Sequence, residues 1–444
     1  MKILKFGGTS VGTPGGMKML EKLVPEDGQH WMVLSALAGT TDRLLALEKA
    51  WINGNHKAML REIEVLEKNY EEFVFELFDD PRFYKTGKAF IEQKMARVRT
   101  LVSGSFNTWK GKMLVAEGEL ISTGLFYRYI RSADIPVVYV CASDLITKKR
   151  DGTVDMVRLQ RQISLVMSQH PEARIFITQG FICRDHAGNM DNLGRGGSDF
   201  TATLLGNVLD VDEIQIWTDV DGMHNNDPRV VEGTAPVTEL SFDEADELAY
   251  FGAKVLYPRC VFPAKQKNIP IRIKNTINPE APGTVITQRA AGNNIKAVAG
   301  KDGITAIRIR SGRMLMAYGF LKKVFEIFEK YETPIDMITT SEVSVSLSVD
   351  DDCNLEAIEM ELNELGSVEV ERDQSIICVV GDFMASRRGM IRHVLNALKD
   401  IPLRMVSYGG SMNNVSLLVS SADKKPALEA LHHYFFINHG IHVN

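Results

Sequence analysis

Short apolar runs alternate with segments of helical spacing in the first part of the chain. The runs that predict buried strands lie at residues 3–6, 31–35, 137–141, 174–182 and 213–219. Residues 198–209 carry apolar side chains at helical spacing, and residues 46–99 are rich in Glu, Lys and Leu and almost free of glycine. This alternation predicts an α/β fold, with a mostly parallel sheet sandwiched by helices and a helical lobe packed on it.

The C-terminal part of the chain repeats one pattern. After a linker at residues 290–294, residues 303–374 predict the βαββαβ order of a ferredoxin-like domain. Residues 375–444 repeat this order but stop before the last strand. A strand at residues 295–301 has no partner in the first copy, and we predict that it crosses over to complete the second sheet. The first domain is therefore predicted at residues 1–292.

Composition and charge exclude several classes of protein. The 444 residues have a formal net charge of −6 and no block of basic residues, so we expect no nucleic-acid binding. The N-terminus runs straight into glycines and no apolar run reaches about 18 residues, which predicts a soluble, cytoplasmic protein without a membrane span. The five cysteines form no CxxC pair, which predicts free thiols and no zinc site.

Two glycine-rich turns predict binding sites for anionic groups. Residues 5–10 (KFGGTS) end the first strand, where adjacent glycines let N–H groups converge on an anion and a lysine can neutralise a phosphate oxygen. Residues 194–199 (GRGGSD) precede a helical run, whose first N–H groups and dipole also favour an anion. Ser198 and Asp199 are favoured N-cap residues as well, but a cap alone needs neither Arg195 nor further glycines.

Charged residues follow a later strand and a later helix. Residues 217–222 (WTDVDG) and 227–229 (DPR) come after a predicted strand, at the end where open α/β sheets bind ligands. Residues 251–258 (FGAKVLYP) close a helix and contain a further lysine. Such a set suits phosphoryl transfer, which depends on positioning and charge neutralisation. The motifs GxxxxGK[ST], GxGxxG and GxSxG are absent, so a Walker NTPase, a dinucleotide enzyme and a serine hydrolase are not supported.

Taken together and in order, these motifs resemble those of the aspartate kinases of the amino acid kinase superfamily. The set also includes residues 34–42 (LSALAGTTD) and 118–123 (GELIST), and the resemblance covers essentially the whole chain. It implies the amino acid kinase fold followed by tandem ferredoxin-like ACT domains. It also implies ATP-dependent phosphorylation of the β-carboxylate of L-aspartate with Mg²⁺, and a homodimer formed through the ACT domains.

The resemblance implies roles for individual residues. Lys5 bridges the transferring phosphate, Glu119 holds the substrate α-ammonium group, and Arg195 pairs with the α-carboxylate. Asp199 orients Lys5 or the substrate amine, and no metal ligand is assigned. The phosphate cradle comprises Gly7, Gly8, Thr9 and Ser10; the other substrate contacts are Ser35, Thr41 and Ser198; the nucleotide contacts are Thr218, Asp219, Arg229, Lys254 and His224, the last replacing a tyrosine of many relatives.

The regulatory half resembles the lysine-inhibited branch of the family, which implies lysine as the effector. The positions that correspond to its lysine site at an ACT interface are Met314, Phe320, Leu321, Asp336, Ser341 and Glu342. An acidic pair such as Asp336 and Glu342 suits a cationic side chain. The alternative for Phe320 and Leu321 is a purely structural role, because both start an amphipathic helix.

Two other functions remain as alternatives. The first is another amino acid kinase, acting on glutamate, acetylglutamate or carbamate; Glu119 with Arg195 favours a free α-amino acid, and the ACT pair favours aspartate. The second is a catalytically silent sensor that reports lysine through its ACT repeats. Retention of Lys5, Asp199 and both glycine-rich turns argues against the sensor.

Overall fold

The structure is a computed structural model that describes residues 1–133, 135–251, 256–290, 295–312, 318–382 and 388–437. Two residues with predicted roles, Lys254 and Met314, lie outside the described residues, as does most of the predicted linker. The chain forms two compact units, one of Met1–Met223 with Val255–Arg289 and one of His224–Lys254 with Ala290–Asn444. The sequence analysis included residues 224–254 in the first domain, whereas in the structure they belong to the second unit.

The described residues form strands and α-helices. The strands are β1 (Lys2–Phe6), β2 (His30–Leu34), β3 (Val137–Val140), β4 (Ile175–Gln179), β5 (Ile182–Arg184), β6 (Met190–Asn192), β7 (Glu213–Thr218), β8 (Glu239–Ser241), β9 (Ile271–Asn275), β10 (Thr284–Thr287), β11 (Ile295–Arg310), β12 (Met337–Thr340), β13 (Ser344–Val349), β14 (Ser367–Gly381), β15 (Met405–Tyr408) and β16 (Asn414–Ser420). The helices are α1 (Gly8–Val11), α2 (Pro14–Leu23), α3 (Thr40–Ile52), α4 (His56–Leu77), α5 (Pro81–Val102), α6 (Thr108–Ser132), α7 (Ala142–Leu145), α8 (Met156–Gln169), α9 (Gly197–Leu209), α10 (Phe242–Tyr250), α11 (Pro258–Gln266), α12 (Phe320–Lys330), α13 (Leu355–Asn363), α14 (Met390–Ala397) and α15 (Lys424–His432). None of the described helices combines the length and apolar character needed to cross a lipid bilayer.

The first unit is built on a mostly parallel sheet. Its strands lie in the order β3-β4-β2-β1-β7-β9-β10. The neighbours from β3 to β9 all pair in parallel, and only β10 runs antiparallel to β9. Every residue of β2 and β4 is buried, as in parallel sheets that helices cover on both faces. The predicted α/β fold is confirmed.

The turns that follow β1, β2 and β4 lie side by side along one edge of this sheet. The first N–H group after each strand donates to a carbonyl group near the end of the neighbouring strand: Gly7 to Trp217 (3.1 Å), Ser35 to Phe6 (3.2 Å) and Gly180 to Leu34 (2.9 Å). Carboxyl ends of parallel strands are where open α/β sheets bind ligands. The sheet therefore collects the turns of distant sequence segments at a single edge.

The predicted helical segment at residues 46–99 is divided among α3, α4 and α5. The breaks fall where a polar side chain caps the next helix: Asn55 accepts a hydrogen bond from the N–H of Ala58, and Asp80 accepts one from that of Arg82. The following helix, α6, runs for 25 residues and carries Glu119 in its middle. Charged composition predicted the helical state but not these breaks.

The single strand predicted at residues 174–182 is wrong in its middle. The strand β4 ends at Gln179, and β5 begins at Ile182. Between them, Phe181 has a φ of 68°, a left-handed conformation that bulky residues rarely adopt. A Cβ atom at Gly180 would lie 2.4 Å from Cβ of Ser198, so only glycine permits this approach to α9.

The second unit contains one antiparallel sheet shared by two ferredoxin-like repeats. Its strand order is β12-β13-β11-β14-β16-β15. The long strands β11 and β14 pair over most of their length, with register shifts near Lys301 and Ile304. The part of β11 before these shifts pairs with the second half of β14, and the part after them pairs with the first half. Residues 295–301 thus pair with residues 376–381, which is the position that the sequence analysis predicts for the missing strand of the second repeat.

The two halves of β11 contribute to different cores. Val298 belongs to the core of the second repeat, with Val379 and Leu417, whereas Ile307 belongs to the core of the first repeat, with Leu347. We expect Val298→Ala to lower the free energy of unfolding of the second repeat by roughly 2 kcal/mol, because it leaves a cavity in that core.

Hydrogen exchange of the full chain measures this effect on each repeat separately. With Val298→Ala, amides of β15 and β16 should exchange faster while those of β12 keep their protection. Ile307→Ala is the matched control, and it should produce the reverse pattern. Equal effects of both substitutions on both repeats would contradict the assignment of the two halves of β11.

Candidate active site

A buried ion pair joins the two glycine-rich turns. Lys5, near the end of β1, and Asp199, in the first turn of α9, are separated by most of the first unit in sequence, and Nζ of Lys5 lies 2.6 Å from Oδ1 of Asp199. Their side chains are only 11% and 9% exposed. A buried ion pair is retained only with close geometry, because both charges lose their hydration. The pair therefore fixes the two turns against each other.

The first glycine-rich turn wraps around the end of β1. A Cβ atom at Gly8 would lie 3.1 Å from the carbonyl oxygen of Ala36, so this turn packs tightly against the one that follows β2. The N–H of Gly7 donates to Trp217, and the hydroxyl of Ser10 lies 2.6 Å from that of Thr276. Gly7 and Ser10 thus hold the turn in place, while the N–H groups of Gly8 and Thr9 in the first turn of α1 have no acceptor within that helix.

The second glycine-rich turn ends at Gly196, which is the N-cap of α9 with a φ of 70°. A Cβ atom there would lie 2.7 Å from the ring of Tyr257, so glycine is required both by conformation and by contact. Because Gly196 occupies the cap position, Ser198 and Asp199 lie inside the first helical turn. The alternative in which these two residues are the N-cap is wrong.

Glu119 is a buried carboxylate with one unsatisfied oxygen. Its side chain lies in the middle of α6, and Oε2 has no hydrogen-bond partner among the described residues. Burial raises the pKa of Glu119 to about 7, against the opposing effect of backbone N–H groups that include that of Ala36. Buried polar atoms are normally hydrogen-bonded, so an unpaired carboxylate oxygen indicates a missing cationic or hydrogen-bonding ligand.

The remaining residues of the predicted substrate site lie after β2 and in the first turns of α3 and α9. Ser35 directly follows β2, and its carbonyl group accepts a hydrogen bond of 2.5 Å from the hydroxyl of Ser122 on α6. Ser198 lies against Gly180 after β4. Thr41 is partly buried in the first turn of α3, next to Thr40, whose hydroxyl accepts from Tyr70.

Arg195 is an exposed side chain on the turn between β6 and α9. Its guanidinium carbon lies 5.7 Å from the centroid of the Tyr257 ring, a cation–π distance. The hairpin of β5 and β6 that leads to this turn is anchored by Asp191, whose carboxylate lies 2.6 Å from Lys112 of α6 and 2.9 Å from Lys148. The guanidinium group is therefore carried by a turn that is fixed at both ends.

The predicted nucleotide contacts are distributed over both units. Thr218 ends β7, and its hydroxyl donates to Asp219 at 3.1 Å. In the second unit, His224 contacts Thr234 through Nδ1, and Arg229 forms an ion pair of 2.7 Å with Asp227.

Within the residues that the structure describes, no group of three or more His, Cys, Asp or Glu side chains could hold a metal ion. Mg²⁺ commonly takes one or two carboxylates together with phosphate oxygens, so a protein cage is not required. Two carboxylates, Asp219 and Asp221, follow β7. This number suits an ion that is bound mainly by phosphate groups.

The predicted effector residues lie in different surroundings. Phe320 is buried in the core of the first repeat, which supports a purely structural role for this residue. Leu321, in contrast, is more than one-third exposed. Ser341 contacts Ser344, and Glu342 is exposed.

Asp336 is almost completely buried and already has a cationic partner. Its Oδ1 lies 3.0 Å from Nζ of Lys301 and 2.5 Å from the hydroxyl of Tyr250 on α10. The Lys301 ammonium group also lies 2.7 Å from Asp350 and 4.4 Å from the centroid of the Tyr250 ring.

The sequence analysis missed two residues of the candidate active site in the first unit. Gln179 is fully buried at the end of β4, and Tyr257 packs against Gly196 and Arg195. A polar side chain inside the apolar run of residues 174–182 was the available signal for Gln179, because buried polar residues are the informative exceptions in a core. Nothing in the local pattern around Tyr257 indicates its contact with a distant turn.

Comparison with known proteins places the chain in a family. The model of the amino acid kinase family matches residues 1–275, and an ACT domain model matches residues 377–435. Aspartokinase 1 of Arabidopsis thaliana is 34% identical, over 98% of this chain and 80% of the relative. The lysine-sensitive aspartokinase 3 of Escherichia coli is 32% identical, over 98% of this chain and 99% of the relative.

Solved structures agree with these sequence matches. Escherichia coli aspartokinase III in complex with aspartate and ADP matches with a TM-score of 0.85 and 31% identity, over 98% of this chain and 100% of that chain. The same enzyme in complex with lysine and aspartate matches with a TM-score of 0.80 over 98% of this chain and 99% of that chain. The chain therefore belongs to the amino acid kinase family and, within it, to the aspartokinases.

Proposed function

We propose that the protein transfers the γ-phosphoryl group of ATP to the β-carboxylate of L-aspartate, giving 4-phospho-L-aspartate and ADP. The observation that carries this proposal is the buried pair of Lys5 and Asp199, which joins two glycine-rich turns at the edge of a parallel sheet. The protein's membership in the aspartokinases supports the same reaction, since the structure of Escherichia coli aspartokinase III is solved in complex with aspartate and ADP.

In this reaction Lys5 neutralises the charge that develops on the transferring phosphoryl group. Asp199 keeps the ammonium group of Lys5 in position, and the N–H groups of Gly8 and Thr9 bind phosphate oxygens. The unpaired Oε2 of Glu119 accepts the α-ammonium group of aspartate. Phosphoryl transfer thus proceeds by positioning and electrostatic stabilisation, without a covalent intermediate on the protein.

Arg195 binds the α-carboxylate through its planar fork of donors. Ser35, Thr41 and Ser198 donate hydrogen bonds to the substrate carboxylates, and the nucleotide is held by Thr218, Asp219, His224, Arg229 and Lys254. Asp219 and Asp221 would hold Mg²⁺ together with the phosphate oxygens, and the ion would neutralise part of the phosphate charge.

The affinity for aspartate is expected to rise with pH and to level off above about 7, because burial raises the pKa of Glu119 to about 7. Below that pH the carboxyl group is protonated, and an ammonium ligand must first displace the proton. As pH rises toward 7, the KM for aspartate should therefore fall by up to about tenfold for each pH unit. Steady-state rates and calorimetry in buffers of different ionisation enthalpy measure both the KM and the proton released.

The raised pKa also affects stability. The folded protein holds a proton that the unfolded chain loses near pH 4.5, so this contribution to stability is present below that pH and is lost as pH rises through about 7.

Glu119→Gln is the control for the pH dependence of the aspartate KM, because the glutamine side chain cannot titrate. Its aspartate KM should be high and independent of pH in this range, and a pH profile identical to that of the wild type would contradict the role of Glu119.

The experiment that tests the reaction is a coupled assay of ADP release with purified protein. Aspartate should support turnover, whereas glutamate, acetylglutamate and carbamate should not. Preference for one of the last three would favour another amino acid kinase activity. If no acceptor releases ADP while lysine still binds, the chain is a silent sensor and the proposed reaction is wrong.

We also propose that lysine inhibits the enzyme through the ACT domains. The protein is proposed to be a cytoplasmic homodimer formed by those domains. The kinase domain spans residues 1–292, and the two ACT domains span residues 303–374 and 375–444. The match to the lysine-sensitive aspartokinase 3 of Escherichia coli, an enzyme whose structure is also solved with lysine, supports this effector. Titration of the assay with lysine, threonine and methionine tests the effector. Rates that stay flat with lysine while threonine inhibits would contradict the assignment.

Glu342→Ala is expected to leave the uninhibited rate unchanged and to raise the lysine concentration for half-inhibition by about fivefold. The exposed carboxylate of Glu342 can contact a cationic effector from the solvent, and one such interaction contributes about 1 kcal/mol. The measurement is a lysine titration at fixed aspartate and ATP. Glu356→Ala, at another exposed glutamate of the first repeat, should leave the inhibition curve unchanged.

A further inference from the structure

Gln179 is a buried residue at the end of β4 to which the proposed reaction assigns no role. Its Nε2 donates to the hydroxyl of Thr123 at 3.0 Å and to that of Tyr139 at 2.7 Å. Its Oε1 accepts from the N–H of Ala142 at 2.9 Å. The carboxamide thereby joins α6, β3 and α7 at one point, with three of its hydrogen-bonding positions satisfied.

On the α6 side, this network leads to Glu119. The hydroxyl of Thr123 donates to the backbone carbonyl of Glu119 at 2.6 Å, so its only proton is used and it can only accept from Gln179. Thr123 lies one helical turn after Glu119. The adjacent Ser122 holds the carbonyl group of Ser35. The amide of Gln179 therefore fixes the turn of α6 that carries Glu119 and holds the backbone of Ser35, which are both proposed contacts to aspartate.

On the β4 side, the network precedes a strained turn. Gly180 directly follows Gln179 and lies against Ser198, and Phe181 next to it has a φ of 68°. A bulky residue keeps a left-handed conformation only where its surroundings hold it there. The three hydrogen bonds of Gln179 fix the residue immediately before this turn, and the turn meets α9 at Ser198.

We infer that Gln179 is a positioning residue for the aspartate half of the site. Its carboxamide holds α6 at Glu119 and the end of β4 at Ser198 in one geometry, so that both can contact the same substrate molecule. The inference rests on the proposed function, since it names the residue that orders the proposed substrate contacts. Among the described residues, the hydrogen bonds of Gln179 go to Thr123, Tyr139 and Ala142 and not to a predicted nucleotide contact, so its role should be confined to the aspartate half of the site.

The first test is Gln179→Met in the full chain, which keeps the length of the side chain and removes its hydrogen bonds. The KM for aspartate should rise about tenfold, with kcat and the KM for ATP changed by less than about twofold. The matched control is Gln215→Met. Gln215 is also buried, on β7 of the same sheet. Its Nε2 donates a hydrogen bond to Glu213 at 2.7 Å, and its Oε1 accepts one from Trp217 at 3.1 Å. It should lose stability but keep the aspartate KM of the wild type.

The second test is a double-mutant cycle with Thr123→Val. If Gln179 acts through Thr123, the variant with both substitutions should have an aspartate KM within about twofold of Gln179→Met alone. Gln179→Glu is the variant to measure if methionine prevents folding, because it keeps the shape but, when ionised, cannot donate to Thr123. It should also raise the aspartate KM.

The outcomes separate this inference from the proposed function. An active wild type whose Gln179 variants keep the aspartate KM overturns the positioning role alone. The same holds if Gln215→Met raises that KM as much as Gln179→Met does. Wild-type protein that releases no ADP with aspartate overturns the proposed function and this inference with it.

Discussion

Replacing Lys5 with methionine is expected to lower kcat by roughly 10³-fold, because in the proposed reaction this lysine is the cation that faces the transferring phosphoryl group. The KM for aspartate should change much less, since the proposed reaction places Lys5 at the phosphate and not at the amino acid. Single-turnover measurements at saturating ATP and aspartate isolate the chemical step.

The same substitution is also expected to destabilise the protein. Asp199 would keep a buried carboxylate without its partner at 2.6 Å, and breaking a buried ion pair in this way costs about 3–5 kcal/mol. Loss of activity must therefore be separated from loss of folded protein. Lys5→Met combined with Asp199→Asn removes both charges and should recover most of the stability without recovering kcat.

Lys5→Arg is the second control. It keeps the positive charge but changes its geometry, so part of the stability should return while phosphoryl transfer stays impaired. If the Lys5→Met variant is fully folded and retains the kcat of the wild type, Lys5 has no part in catalysis. The pair with Asp199 would then be purely structural.

Proximity of Lys5 to Asp199 was predictable from general rules of the fold. Each residue lies at a strand or helix terminus next to glycines, and parallel strands bring such termini to one edge of the sheet. What the sequence does not specify is the choice between the cap role of Asp199 and its pairing with Lys5. The structure resolves it because Gly196 takes the cap position.

The interrupted strand at Gln179 shows why some features escape sequence analysis. An apolar run of this length reads as one strand, and a left-handed phenylalanine gives no local signal. The strain is imposed by the approach of α9 to Gly180, which is a contact between distant segments. In contrast, the crossover of β11 was predictable, since an unpartnered strand and an incomplete repeat can complete each other.

The regulatory residues illustrate the same limit. Asp336 and Glu342 read as an acidic pair because they are close in sequence. In the structure, Asp336 is instead bound by Lys301 on β11 and by Tyr250 on α10. The membership of the α10 segment in the second unit depends on tertiary contacts, so its local pattern could not predict it.

Arg195→Ala is expected to raise the KM for aspartate by about 100-fold while lowering kcat much less. Loss of a charge-assisted, bidentate contact to a carboxylate costs roughly 2–3 kcal/mol, which corresponds to this factor. The turn that carries Arg195 is fixed by the contact of Gly196 with Tyr257 and by the anchored hairpin, so the substitution should leave the backbone in place. Initial rates over a wide range of aspartate at saturating ATP give the two parameters separately.

Arg195→Lys distinguishes charge from geometry in this contact. It keeps the cation but loses the planar fork, so the aspartate KM should still rise, by about tenfold. Arg184→Ala is the matched control, because Arg184 lies on β5 of the same hairpin, is partly exposed and forms an ion pair of 3.0 Å with Asp144. Its aspartate KM should equal that of the wild type. An Arg195→Ala enzyme with an unchanged dependence on aspartate would remove Arg195 from the substrate site, and the α-carboxylate would then need another partner on the turns after β2 and β4.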